Sequence, residues 1–434
     1  MMHTPRGYRE FRTGWPLVLS AMVGVGLGLS PVPFYTIGML APELAKAFGW
    51  GFTQIQISLL ITTLTVLVAS PLAGFLADRI GVRRVALGSV ALFSLTFMSF
   101  ALSTGSLPQF YATWAILAFV GAGTLPITWT RAVNNRFEER KGLALGLCLL
   151  GTGIFGFAVK PLTAWLIAHF GWRSVYLVVG ALPLLLAWPL AFVAFHDVAR
   201  PTGGSPADRP DAPPGLTFAE TLREWRFWLL GAVFVPISFA IGGPIPNMEN
   251  ILRVHGFERS QIVPLVSLIG LSVIVGRVVG GWLIDRFWAP AVAVLLLSAP
   301  AFSCHLLASG EVTMQQAALA ICLIGGAAGV EYDLMAFLVA RYFGMRSYSA
   351  IYGALYGFFA FGAGIAPAIF ARDFDHTHGY GEMLSLASII LVGSALLLLT
   401  LGRYRQFGSY PQSIETISTS VPSGSQSVPE SRSP

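Results

Sequence analysis

Gly74-Phe75-Leu76-Ala77-Asp78-Arg79-Ile80-Gly81-Val82-Arg83-Arg84 joins two long apolar runs and is the densest charge cluster in the first half of the chain. Its first seven positions return as Gly281-Trp282-Leu283-Ile284-Asp285-Arg286-Phe287, in the order Gly, aromatic, Leu, apolar, Asp, Arg, apolar. The offset is constant, because Gln54 corresponds to Gln261 and Gly146 to Gly353. A repeat of this length in so apolar a chain predicts two homologous halves packed about a central path.

The chain has 434 residues, of which 55% are hydrophobic and only 11% charged. A soluble protein carries about 25% charged residues, since much of its surface must be polar. The deficit predicts a multi-span membrane protein. The apolar runs are long and glycine-rich rather than alternating, which favours helices over a barrel of strands. Twelve runs are long enough to cross about 30 Å of hydrocarbon. Their cores are residues 15–40, 54–76, 85–104, 108–132, 142–168, 174–195, 227–250, 261–284, 289–309, 313–338, 347–371 and 382–402. The expected class is therefore an all-α membrane protein, with twelve transmembrane helices in two six-helix pseudo-symmetric bundles.

The first bundle is expected over residues 1–195 and the second over 227–403. Residues 196–226, with Pro201, Pro206, Pro210, Pro213 and Pro214, read as a cytoplasmic linker ending in a short amphipathic piece near Phe218 to Trp225. Residues 404–434, rich in Ser, Pro and Gly, read as a disordered cytoplasmic tail. The N-terminus, with Arg6, Arg9 and Arg12 before its apolar run, reads as an uncleaved first span.

With both termini placed inside, nineteen of the 27 Lys and Arg residues fall on inner segments and five on outer loops. This asymmetry predicts cytoplasmic termini in the inner (plasma) membrane. It also accounts for the net charge of +6 without nucleic acid. The remaining three cations, Arg131, Lys160 and Arg277, lie within or near spans. Cys148, Cys304 and Cys322 lie in apolar runs without metal spacing, so neither disulfides nor zinc is expected. No nucleophile triad, metal-ligand pattern or phosphate loop is visible, so the chain reads as neither an enzyme nor ATP-driven, with no cofactor and no metal. The Asp373, Asp375, His376 and His378 cluster is a weak metal patch at most, and His305 reads as a helix-end histidine.

Twelve spans, a six-plus-six repeat, a long central loop and the hinge motif together resemble the major facilitator superfamily, and the resemblance covers nearly the whole chain. Gly74, Asp78, Arg79, Gly81, Arg83 and Arg84 match the superfamily's signature between spans 2 and 3, while Val82 stands where an Arg is usual. Arg136-Phe137-x-x-Arg140-Lys141-Gly142-Leu143-Ala144-Leu145-Gly146, Gly151-x-Gly153 and Arg341-Tyr342-Phe343-Gly344 look like the bacterial branch near monocarboxylate and oxalate/formate porters. Arg277 occupies the place of the arginine typical of span 8 in monocarboxylate porters. Their lysine in span 1 has no counterpart, because residues 15–40 contain no basic residue.

A charge in hydrocarbon costs at least about 2.5–3.5 kcal/mol, so it needs a partner or a wet cavity. Arg277 lies eight residues before Asp285, roughly 12 Å from the boundary, and Glu331 ten before Arg341, roughly 15 Å. The expectation is that an organic carboxylate binds between the halves on Arg277, with Lys160 or Arg131 as a second cation. Tyr35, Trp129, Tyr332 and Tyr356 are expected to shape the cavity. Glu331 or Asp333, about 200° apart on their helix, would carry a coupling proton, with Glu331 favoured for the cavity. Gly74, Asp78, Arg79, Gly81, Arg83, Arg84, Asp285 and Arg286 are expected to gate the inner face, with Arg79, Arg83 and Arg84 also meeting anionic membrane lipid. Asn247 and Glu249 read first as a capped helix end and second as an outer gate. The expected function is proton symport of an organic acid by a monomer, with drug or metabolite efflux, or a non-transporting sensor, as alternatives.

Overall fold

A computed structural model describes residues 6–137, 141–195, 214–344 and 346–405, excluding the side chains of residues 6–10, Asp78, Ile127, Arg131, Asn134, Asn135, Asp285 and Ser349 and those named next. Most of the expected linker and tail therefore lies outside the described residues, as do Arg140 and the side chains of Lys141 to Leu143. Twelve segments among those described are long and apolar enough to cross a membrane. Spans 1–6 are Phe11–Phe48, Phe52–Ala77, Val82–Leu102, Leu107–Thr130, Ala144–Phe170 and Trp172–Ala194. Spans 7–12 are Trp225–Val254, Arg259–Ile284, Ala289–Ala308, Met314–Phe343, Ala350–Thr377 and Gly381–Leu401.

Short turns with defined chemistry join these helices. Gly49, at φ 71°, ends span 1 in the left-handed region that glycine enters without steric cost. Gly81, at φ 97°, makes the turn between spans 2 and 3, which explains a glycine within the charge cluster. Span 10 starts with a reciprocal cap: Gln316 N–H donates to Thr313 Oγ1 at 3.3 Å, and Thr313 N–H to Gln316 Oε1 at 2.9 Å. A similar cap opens the short helix Phe218–Thr221, which stands where the amphipathic piece was expected. There the Thr217 N–H donates to Glu220 at 2.7 Å and holds that exposed carboxyl below its usual range.

The first span is longer than its apolar core predicts because it is broken. Its helix stops at Gly26 and restarts at Pro31, and span 4 is likewise interrupted before Pro126. The two breaks meet, with the Leu29 N–H donating to Thr124 Oγ1 at 2.9 Å. Freed backbone groups in a bilayer must find such partners. Span 7 has its own break at Gly243, before Pro244.

Among the described residues the halves meet mainly through span 2 with 11, span 5 with 8, and span 1 with 7. Within the second half, spans 8 and 10 pack closely on small residues. A Cβ on Gly276 would run into the backbone of Gly326, and one on Gly329 into that of Val273. Gly281, on the same helix, faces open space. Overpacking a tight contact costs about 1–3 kcal/mol or more. Gly276→Leu is therefore expected to lower the thermal unfolding midpoint in detergent, whereas Gly281→Leu should leave it unchanged; differential scanning fluorimetry checks the contrast.

Candidate functional site

The face carrying Gly81 and most of the arginines is here termed the basic face, and the opposite one the far face. At the far face the halves are tied together. The carboxylate of Asp375 in span 11 accepts from Phe52 N–H at 3.2 Å and Thr53 N–H at 2.9 Å, capping span 2. Anion at a helix N-terminus is favourable both as a hydrogen-bond acceptor and against the helix dipole. Asp375 thus has a structural role outside the weak metal patch. Gln56 Nε2 donates to Asn247 Oδ1 at 3.4 Å, and Asn247 Nδ2 to Pro367 O at 3.2 Å. Asn250 Nδ2 donates to the Tyr380 hydroxyl at 2.8 Å. Arg259 pairs with Glu43 at 3.5 Å. Lys160 of span 5 and Glu249 of span 7 form a buried ion pair between the halves. Asn247 and Glu249 therefore bridge the halves, correcting the preference for a simple capped helix end.

Toward the basic face the same helix pairs separate. Along spans 2 and 11, the Cβ position of Gly364 meets Thr63, that of Gly357 has only Leu67 at 3.9 Å, and that of Gly353 meets nothing. Along spans 5 and 8, Gly153 and Gly270 touch, while Gly146 and Gly281 face open space. The halves form a wedge closed at the far face and open at the basic face.

Arg277 lies near the apex of the wedge, two turns from Gly270, with its side chain 10% exposed. Its Nε is 3.3 Å from Asp333 Oδ2 and also donates to Gly329 O at 3.3 Å. Its Nη1 is buried with no hydrogen-bond partner among the described residues. The glycine at 329 lets spans 8 and 10 approach closely enough for this contact. Asp333, 30% exposed, is the more accessible carboxylate. Glu331 is 4% exposed, and its Oε1 has no partner among the described residues. The preference for Glu331 at the cavity is thus reversed, because the 200° separation turns Asp333, not Glu331, toward Arg277.

Tyrosines surround this pair. Tyr35 of span 1 packs on Gly156 of span 5, and Gly153 packs on Gly270 and Ile274 of span 8, one turn before Arg277, so the guanidinium lies near the first half as well. The rings of Tyr332 and Tyr356 have centroids 6.0 Å apart, and Tyr332 packs on Phe359 at 4.7 Å. Tyr348 stacks on Tyr352 at 5.9 Å and 14°. The three tyrosines at 348, 352 and 356 recur every four residues and so share one helix face. Tyr348 was not singled out in the sequence, although this spacing is visible there.

Two expected members are elsewhere. Trp129 is fully buried within the first half, against Phe195 at 4.9 Å, and its Nε1 donates to Thr124 O at 3.1 Å. Its place in the cavity is therefore corrected: it packs the broken ends of spans 1 and 4. Lys160 is held by Glu249 rather than set beside Arg277. The Arg131 side chain is outside the described ones, so a second cation at Arg277 rests on no described residue.

Of the hinge residues, Arg79 lies over Phe75 at 4.3 Å and Arg286 over Trp282 at 4.3 Å. These are repeat-equivalent cation–π contacts on their own helices. Arg83 donates to the carbonyl of Phe192, while Arg84 and Gly74 are exposed. Asp78 and Asp285 have side chains outside the description.

Residues 13–367 match the Major Facilitator Superfamily. An uncharacterized 38 kDa protein in the 23S RNA operon of Thermoproteus tenax is 30% identical over 87% of this chain and 94% of its own length. Monocarboxylate transporter 13 of Bos taurus is 30% identical over 65% of this chain and 64% of its own length, so the match spans just under two thirds of that relative. A crystal structure of a bacterial homologue of the human lysosomal transporter Spinster, inward-facing and unoccupied, superposes with a TM-score of 0.61 at 18% identity. It covers 92% of this chain and 96% of that one. The chain is a multi-pass membrane protein that belongs to the major facilitator superfamily.

Proposed function

We propose that this protein is a secondary transporter that moves an organic carboxylate together with a proton by alternating access. The observation that carries the reading is the Arg277 guanidinium, buried near the apex of the wedge with Nη1 unpartnered. A buried donor without an acceptor is costly, and guanidinium matches a carboxylate in a planar, bidentate fork. Tyr35, Tyr332, Tyr352 and Tyr356 supply hydroxyls and aromatic faces around the bound anion. The monocarboxylate transporters among the relatives support the same ligand class.

Asp333 holds the guanidinium in place before substrate arrives. Glu331 has no ion pair recorded among the described residues, and an uncompensated anion at this depth is expensive. That setting suits it to carry the coupling proton. The rocking units are residues 1–195 and 227–403. The basic face is cytoplasmic by the distribution of Lys and Arg, so this is the inward-open state of a plasma-membrane protein. Arg79 and Arg286 then serve the cytoplasmic closure of the opposite state.

Uptake into proteoliposomes under an imposed pH gradient tests the reading, with mono-, di- and aromatic carboxylates screened in turn. We expect accumulation of at least one carboxylate when the side of entry is acidic, and its collapse with a protonophore. Transport of neutral or cationic compounds alone would overturn it.

A further inference from the structure

The Lys160–Glu249 pair at the far face is not used by the Arg277 centre. Both side chains are nearly inaccessible, at 1% and 2% exposed, and they belong to opposite halves. Glu249 Oε1 meets the ammonium, while Oε2 is buried with no hydrogen-bond partner among the described residues. A buried ion pair is stable only when its geometry and remaining hydrogen bonds are good, and here one oxygen is left over. Gly38 of span 1 packs directly on this carboxylate, which fits only because position 38 has no side chain. One turn earlier on span 1, Tyr35 packs on Gly156, itself one turn from Lys160. The pair is thus the roof of the Arg277 centre.

A small cavity of about 60 Å³ adjoins the pair, lined by Gly38 and Glu249 together with Glu43, Arg253 and Arg259. About 10–15 Å³ of such space is enough to hold one water, so the cavity admits several molecules. The charged groups around Glu249 can be named element by element. Span 5 presents Lys160, span 1 Glu43, span 8 Arg259, and its own helix Arg253. Glu43 is paired with Arg259. Span 2 offers the neutral Gln56, and the turn before span 12 the Tyr380 hydroxyl, both through Asn247.

We propose that Glu249 is a second proton-binding site, reached from the far face, whose protonation releases Lys160 and opens the far-face closure. The proton passes from water in the adjoining cavity to Oε2, leaving a neutral carboxyl and a net charge of +1 on the former pair. A neutral Glu249 no longer balances the ammonium, so the closed roof loses its main electrostatic tie. The proton is taken from the far side and returned to it. Glu249 therefore sets access, and the proton that crosses is carried elsewhere.

The inference rests on the alternating-access reading but not on the identity of the substrate. Its test needs no ligand. Spin labels at Ala47→Cys and Ser260→Cys, in a background lacking Cys148, Cys304 and Cys322, report the separation of the halves at the far face. Double electron–electron resonance is recorded between pH 8 and pH 5 in lipid nanodiscs. We expect the protein with an intact pair to gain a long-distance population as pH falls. Glu249→Gln should show that population at every pH, with loss of the pH response, and so should Lys160→Met. The charge-reversed pair Lys160→Glu with Glu249→Lys should recover the short distance at pH 8. A distance distribution that does not change with pH, or a Glu249→Gln protein with an unaltered pH response, overturns the proposal. Failure of carboxylate uptake with the pH response intact would overturn only the substrate reading.

Discussion

Arg277→Gln is expected to lower carboxylate uptake by roughly 100-fold, the loss of about 2.8 kcal/mol from charge-assisted hydrogen bonds to a buried anion. The expected loss is large because the guanidinium does two things at once. Its Nε is committed to Asp333 and Gly329, which hold it in one orientation. Its Nη1 has no acceptor among the described residues. Gln removes both the charge and the fork, and leaves Asp333 without its cation. Arg277→Lys keeps the charge but cannot bridge Asp333 and a second carboxylate with a planar fork, so a smaller loss, of about 10-fold, is expected. Initial rates in proteoliposomes measure both, with the amount of folded protein checked by size-exclusion chromatography. Uptake by Arg277→Gln at the rate of the unsubstituted protein would remove Arg277 from the binding site.

The fold was legible because its determinants are periodic. Apolar runs of membrane-spanning length and the Gly-x-Leu-x-Asp-Arg repeat need no knowledge of packing. The spans at 382–402 and 381–401, expected and observed, differ by one residue. The first span differs more, since Gly26 and Pro31 break it and a broken helix needs more chain to cross the same thickness. The burial of Arg277 within a span was readable from its distance to the nearest charged end of the helix.

Partners were harder to read, because pairing depends on rotation about each helix and on which bundle faces which. Asp333 and Glu331 are two residues apart, and the rotation of span 10 where it packs on span 8 through Gly276, Gly326 and Gly329 turns Asp333 toward Arg277. Lys160 and Glu249 are 89 residues apart, with no local signal linking them. Trp129 misled for a similar reason: an aromatic in a span is as suited to filling a helix break as to lining a cavity. Asp375 illustrates the converse case. Its neighbouring histidines drew attention to metal, whereas its oxygens cap a helix in the other half.

Glu331→Gln is expected to abolish proton-driven accumulation while leaving carboxylate exchange largely intact. Glutamine reproduces the neutral carboxyl in size and polarity but cannot give up a proton. If Glu331 carries the coupling proton, the variant is held in the state that returns loaded. With the membrane potential clamped at zero, the accumulation ratio should fall to about 1, since no gradient is then linked to the substrate. Counterflow, which needs only loaded transitions, should persist. Its rate should still rise as the far side is acidified, because Glu249 is unchanged and opens more readily at low pH. Asp333→Asn should behave differently. Asp333 is the recorded ion-pair partner of Arg277 among the described residues, so its neutralisation leaves a buried guanidinium uncompensated. Accumulation and counterflow should then fall together. Measuring both modes in both variants separates a residue that carries the proton from one that holds the anchor. Accumulation by Glu331→Gln at the unsubstituted level would move the coupling proton to Asp333 or to the substrate itself.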